Sequence, residues 1–299
     1  MAQRKVAIVT DASGDIPPVI AKELNISILP IIINFEEKSF KSYGIEEGLT
    51  WKEFYELSEK EIPSTAIPGP GHFVKTFEQA LETADSVIAI FITHKLSGVY
   101  NNAVKIIEQY LPDKDISIYH GGVNSIGIGV LVIEAARLAA QGKTKDEIVK
   151  QLESWIPQVQ YSGIINTLDN LVKTGRLSKV KKFLSDMLSF KPILGFKDDE
   201  IFIYGKIRAK DDLIIEQIKK FGVKALTNMI PENNLLIIGH TCWHEAAEEL
   251  AKHLQANNPN NKEIIIQEEG VINSFYVGKK LLTLSYIGNF DPDWLLKTK

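Results

Sequence analysis

The first half of the chain alternates short apolar runs with longer amphipathic ones. Residues 5–9, 26–33, 86–92 and 115–119 are short, rich in β-branched side chains and bounded by turn formers, so each predicts a strand. Between them, residues 17–24, 50–59, 70–83, 98–110, 126–141 and 145–156 carry apolar positions at helical spacing. Pro17 suits a first helical turn, which needs no N–H from it. Thr144 with Glu147 three residues on reads as a capping box before the last of these helices. Regular strand–helix alternation predicts a parallel α/β sheet with crossover helices over residues 1–157.

Beyond Pro157 the rhythm changes. A strand at 158–166 leads to a short helix near 168–172 and another at 180–189. Strands at 192–196 and 200–206 flank Asp198-Asp199 and read as a hairpin, although its turn lacks the favoured glycine. A helix at 211–221, a strand at 235–239, a helix at 245–256 and a strand at 263–267 follow. This mixed order predicts a smaller α+β domain over residues 158–299. The fold class expected is therefore α/β, a parallel-sheet N-terminal domain plus a mixed C-terminal one.

Composition narrows the function. A formal net charge of −4 over 299 residues offers no basic excess to neutralise phosphates, which argues against a nucleic-acid binder. The lone cysteine, Cys242, excludes an intramolecular disulfide and a cysteine-rich zinc site. No run approaches the roughly 18 apolar residues that a membrane span needs, and the first apolar run is too short for a signal-peptide core. The expectation is a cytoplasmic protein with no membrane span.

Three hydroxyl-bearing loops stand out beside predicted strands. They are Thr10-Asp11-Ala12-Ser13-Gly14-Asp15, Pro63-Ser64-Thr65-Ala66-Ile67-Pro68 and Leu96-Ser97-Gly98-Val99. The last runs from a strand into a helix, whose N-terminus carries partial positive charge and suits a carboxylate or phosphate. Ser97 lacks the glycine flanks of a nucleophile elbow, because Lys95 and Val99 occupy those positions, so binding is favoured over acyl-enzyme chemistry. Asp11 and Asp15 read either as helix caps or as acid/base groups and metal ligands. The glycines from Gly121 to Gly129 fail the dinucleotide spacing, since Val132 stands where the third glycine would be, and helix–strand packing is the better reading. His240 and His244 lie four apart around a strand-to-helix junction. They could share a metal, but Thr241 stands at the glutamate position of a zincin motif, and no metal or cofactor is expected. The basic loop Lys173-Thr174-Gly175-Arg176 is read evenly as a solvated helix end or a docking point.

In order along the chain, these motifs resemble the DegV family of bacterial fatty-acid-binding proteins. Thr10 to Ile16 resembles the family's T-D-S-T-A-D-L, and Pro63 to Pro68 resembles P-T-T-S-Q-P. Leu96 to Ala103 resembles L-S-G-T-Y-x-S-A, Leu171 to Ser178 resembles L-x-K-G-G-R-[IV]-S, and Gly205 to Arg208 resembles G-K-x-R. The resemblance implies a non-enzymatic protein that binds a long-chain fatty acid or related lipid between two domains. It would present the headgroup to a kinase subunit that makes an acyl phosphate. Thr65 and Ser97 stand at the positions implied to hold the carboxylate, with Gly98, Ser13 and Ser274 as further ligand-binding residues and Arg176 as the partner contact. Departures are visible: Ala12 and Ala66 replace serines, His120-Gly121 replaces Asp-Ser, and Phe275 stands where the family's headgroup histidine falls. The alternative reading is a metal-dependent phosphoester-processing enzyme using Asp11 and Asp15.

Overall fold

A computed structural model describes residues 4–42, 49–177, 190–208 and 210–296. The chain divides into two compact units, Met1–Pro157 with Gly270–Ile272, and Gln158–Glu269 with Asn273–Lys299.

The first unit runs β1 (Arg4–Asp11), a 3-10 turn (Ala12–Gly14), α1 (Pro18–Leu24), β2 (Ser27–Leu29), β3 (Ile32–Asn34), β4 (Ser39–Lys41) and α2 (Trp51–Ser58). It continues with β5 (Ser64–Ala66), α3 (Pro70–Leu81), β6 (Ala84–Phe91), α4 (Val99–Tyr110), β7 (Ile116–His120), α5 (Ile126–Ala140) and α6 (Lys145–Trp155). Four strands form an all-parallel sheet in the order β2-β1-β6-β7. Val87 to Phe91 are all buried, the continuous apolar run of a strand covered on both faces. The sequence pattern treats 26–33 as one strand. Instead it breaks at Pro30, which has no N–H for a ladder, and β3 joins β4 and β5 in a separate antiparallel sheet. The chain therefore leaves the parallel sheet after Leu29.

Local chemistry fixes the helix ends. The capping boxes of α2, from Thr50 and Glu53, and of α6, from Thr144 and Glu147, each satisfy orphan N–H groups reciprocally. Helix α5 is apolar nearly all round, and from Ile126 to Ala136 every residue is buried. Gly121 lets its N-terminal half approach, since a Cβ there would lie 2.9 Å from Leu131 Cδ1 and closer still to Ile128. Packing thus accounts for this glycine.

The second unit runs β8 (Val159–Ile164), α7 (Asp169–Lys173), β9 (Phe190–Lys197), β10 (Glu200–Arg208), α8 (Asp211–Asn228) and β11 (Leu235–Thr241). Then come α9 (His244–Ala256), β12 (Glu263–Glu268), α10 (Val271–Val277, whose first two residues group with the first unit), β13 (Leu281–Ile287) and α11 (Asp293–Leu296). Its six-stranded sheet has the order β10-β9-β8-β13-β11-β12, antiparallel except where β11 meets β12. Phe221, Leu226, Leu236, Ile238, Leu250, Leu284 and Tyr286 belong to one core between this sheet and its helices. The sequence pattern misses β13 altogether, although it lies inside the sheet. The hairpin at Asp198-Asp199 does form, with both residues left-handed at φ 52° and 64°, the conformation that a two-residue type I′ turn demands. Asp tolerates that region better than most residues, so no glycine is needed. The helix expected at 180–189 lies outside the described residues. Among the described residues, no helix is long and apolar enough to cross a membrane.

Candidate functional site

In the first unit, β2 lies on one side of β1 and β6 on the other, so the parallel sheet has its topological switch point at the carboxyl ends of β1 and β6. Ligands of open α/β sheets collect at such a crevice. The loops there are tied together by backbone: Thr93 N–H donates to Val123 O at 3.1 Å and Gly121 N–H to Phe91 O at 2.9 Å.

The acidic groups of the β1 loop bond within the loop and to the loops beside it. Asp11 is fully buried; its Oδ1 accepts from the Ser13 N–H at 2.9 Å and from the Ser13 hydroxyl, and its Oδ2 from Ile92 N–H at 3.1 Å. Burial raises the Asp11 carboxyl above its ordinary value, and these donors pull it only partly back. Ser13 is buried with its hydroxyl turned to Asp11. Asp15 does not cap α1, whose cap position is Pro17 and carries no side-chain bond; instead its Oδ2 accepts from the Ser125 hydroxyl at 2.6 Å. Both carboxylates therefore serve as acceptors that tie the β1 loop to its neighbours. Neither carboxylate of the pair named by the phosphoesterase alternative is exposed.

Thr65 and Ser97 are different, since both are only half-buried. Thr65 sits in β5, opposite Ile33 of β3. Ser97 lies two residues before α4, with its Oγ 3.4 Å from Val99 N, too long for a strong cap. Gly98 is the cap residue and makes no side-chain bond. A Cβ at Gly98 would lie 3.1 Å from Ile67 Cδ1, so the Ser97-Gly98 turn packs directly on the loop that carries Thr65. The two hydroxyl loops thus meet within one unit.

The same edge holds an aromatic group that sequence reading missed. His94, His120 and Tyr100 pack edge to face or tilted, with ring centroids 4.6 Å apart for His94–His120 and 5.2 Å for Tyr100–His120. From sequence alone both histidines read as surface or loop residues. The available signal was positional, because His120 closes β7 and His94 follows β6 by three residues, both at the carboxyl edge.

In the second unit, Arg176 and Ser274 lie on segments that touch. The Arg176 guanidinium stands 5.2 Å from the Tyr276 ring centre and donates to Thr174 O at 3.0 Å. Asn170 Nδ2 donates to Phe275 O at 2.7 Å. The Ser274 hydroxyl is buried and donates to Glu269 O at 2.8 Å. Glu269 is itself buried, accepting from Tyr161 at 2.9 Å and Thr283 at 2.8 Å.

Comparison with known proteins matches residues 5–289 to the family described as "Uncharacterised protein, DegV family". The chain belongs to the DegV family. A DegV domain-containing protein of Caldanaerobacter subterraneus subsp. tengcongensis is 36% identical over 224 residues, covering 73% of this chain and 78% of that protein. One of Clostridium perfringens is 28% identical over 295 residues, covering 96% and 98%. Among solved structures, DegV of Bacillus subtilis, described as a fatty acid binding protein, superposes with a TM-score of 0.80 at 25% identity, covering 96% of this chain and all of that one. A DegV family protein of Thermus thermophilus, with a structure titled for its fatty acid binding, gives a TM-score of 0.82 at 22% identity, covering 95% and 100%. The DegV fold, a parallel α/β sheet followed by a mixed sheet, is therefore the fold of this chain.

Proposed function

We propose that this DegV protein is a lipid carrier that binds a long-chain fatty acid through Thr65 and Ser97 and presents its carboxylate to a kinase partner. One observation carries the reading: the Ser97-Gly98 turn at the N-terminus of α4 packs on Ile67, two residues beyond Thr65, and both Thr65 and Ser97 are half-buried. Fatty-acid-binding solved relatives support the ligand class. Ser13 and Ser274 spend their hydroxyl protons on Asp11 and Glu269, so their part is to hold their loops rather than to donate to the headgroup. Arg176, stacked on Tyr276, is the residue assigned to the partner.

Magnitudes favour the tail as the source of affinity. Burying a chain of about sixteen carbons contributes roughly 0.8 kcal/mol per methylene, on the order of 12 kcal/mol before association costs. Each hydrogen bond to the carboxylate adds about 1.5–3 kcal/mol. Two hydroxyls thus supply selectivity and orientation more than strength. Mass spectrometry of organic extracts of the recombinant protein should find a long-chain fatty acid. An extract free of acyl species, with no fatty acid taken up by the delipidated protein, overturns the proposal. For the partner, Arg176→Ala should load fatty acid normally yet lose acyl-phosphate formation with kinase and ATP.

A further inference from the structure

In the second unit the sheet ends on β12, which has β11 on one side and, among the described residues, no strand on the other. Every residue of β11 and β13 is buried, whereas every residue of β12 is half-buried. The odd-numbered residues of β12 turn their backbone inward: Glu263 N–H donates to Asn234 O at 2.8 Å, and beyond the strand Glu269 N–H donates to His240 O at 2.9 Å. A strand alternates, so the N–H and C=O of residues 262, 264, 266 and 268 point off the sheet. Both ends of that row are occupied. The Asn258 side chain accepts from Lys262 N–H at 2.9 Å and donates to Lys262 O at 2.6 Å, and Gln267 Nε2 donates to Glu268 O at 2.7 Å. Between them, the outward N–H and C=O of Ile264 and Ile266 have no partner among the described residues.

Edge strands are usually blunted by a charge, a proline or a bulge, but the middle of β12 is Ile264-Ile265-Ile266, in unbroken register with β11. We propose that this edge pairs with β12 of a second copy of the chain, antiparallel about a two-fold axis at Ile265, joining two six-stranded sheets into one. Ile264 of each copy then exchanges both backbone bonds with Ile266 of the other, which uses all the open groups and leaves the occupied ends alone. The same patch serves both copies, as a two-fold dimer requires. Charge fits this axis. Glu263 falls opposite Gln267 and Lys262 opposite Glu268, so no like charges meet along the strands. The axis also sets the two α9 helices, which pack on β12, side by side and antiparallel. Glu249 of α9 is turned to α8, where Lys219 holds it at 2.7 Å. Glu248 lies exposed on the other shoulder, 3.4 Å from His244 Nε2, and exposed Lys252 follows one turn later. These two stand two residues either side of Leu250, the midpoint of α9, so the two-fold turns the acid of each copy toward the base of the other.

Sedimentation velocity of the untagged full-length protein, from about 1 to 100 µM, should show a monomer–dimer equilibrium. Glu248→Lys and Lys252→Glu should each weaken the dimer at least about fivefold, because each turns two attractive pairs into repulsive ones. Mixed in equal amounts, the two variants should associate as the wild type does, since unlike copies again oppose acid to base. Amide exchange followed by NMR should find Ile264 and Ile266 protected at the high concentration and open on dilution, with Ile265 protected throughout by β11. A chain that stays monomeric over this range overturns the proposal. So does a dimer that neither substitution weakens, a mixture no tighter than its components, or exchange at Ile264 and Ile266 that ignores concentration.

Discussion

At the scale of single residues, burial separates Asp11 and Ser13 from the half-buried Thr65 and Ser97. Asp11 has its two oxygens engaged by three donors, so Asp11→Asn places an amide N–H against the Ile92 N–H or the Ser13 pair. A buried donor without an acceptor costs about 1–3 kcal/mol, measurable by urea unfolding at pH 7. The sign with pH follows from the raised carboxyl. From its ordinary 3.8 upward the folded state holds the proton more tightly, so this group's contribution falls as pH rises through that window. Asp11→Asn should remove that slope. Thr65 and Ser97 behave in the opposite way, because their loss leaves no buried charge behind. Thr65→Ala and Ser97→Ala should each weaken fatty acid binding about tenfold or more while leaving stability within about 0.5 kcal/mol, read by fluorescent-ligand displacement and thermal unfolding.

At the scale of elements, the helix ends were legible because capping chemistry is local. Thr144 and Glu147 announce α6 by spacing alone, and the structure closes both halves of that box. Glu147 is pulled down to about 2 by the Lys143 ammonium and then by the Thr144 N–H and hydroxyl. Its support is therefore complete above the ordinary 4.5 and is lost as pH falls toward 2. Thr144→Ala should cost about 1 kcal/mol and return the Glu147 titration toward its ordinary value, followed by side-chain NMR. Strands were less legible. The run 26–33 is continuous in hydrophobicity, yet Pro30 hands its two halves to different sheets. β13 escaped notice because Leu281 to Ile287 mixes threonine, serine and tyrosine into its apolar run. Only pairing with β8 and β11 on either side reveals why all seven are buried.

At the scale of the molecule, a carrier whose affinity comes from the tail behaves differently from one that grips a headgroup. Affinity should rise about three- to fourfold per methylene until the tail space is filled, following roughly 0.8 kcal/mol each. A saturating fatty acid at about 100 times its Kd should stabilise the folded protein by about 2.7 kcal/mol, seen as a raised Tm. A flat response to chain length would show that the headgroup dominates.

By itself the sequence determined the α/β class, the change of pattern beyond Pro157 and the ordered motifs of the family, because periodicity, capping and turn chemistry act over a few residues. Tertiary structure alone decided which polar groups face inward. Asp11, Asp15 and Ser13 read in sequence much like Thr65 and Ser97, but the first three are buried and bond within the β1 loop, to Ile92 and to Ser125, whereas the other two are half-buried. The meeting of Gly98 with Ile67, and of His240 with His244, joins segments from separate elements. The register of a sheet and the packing of helices on it set such distances, and neither is written in any one stretch of the chain.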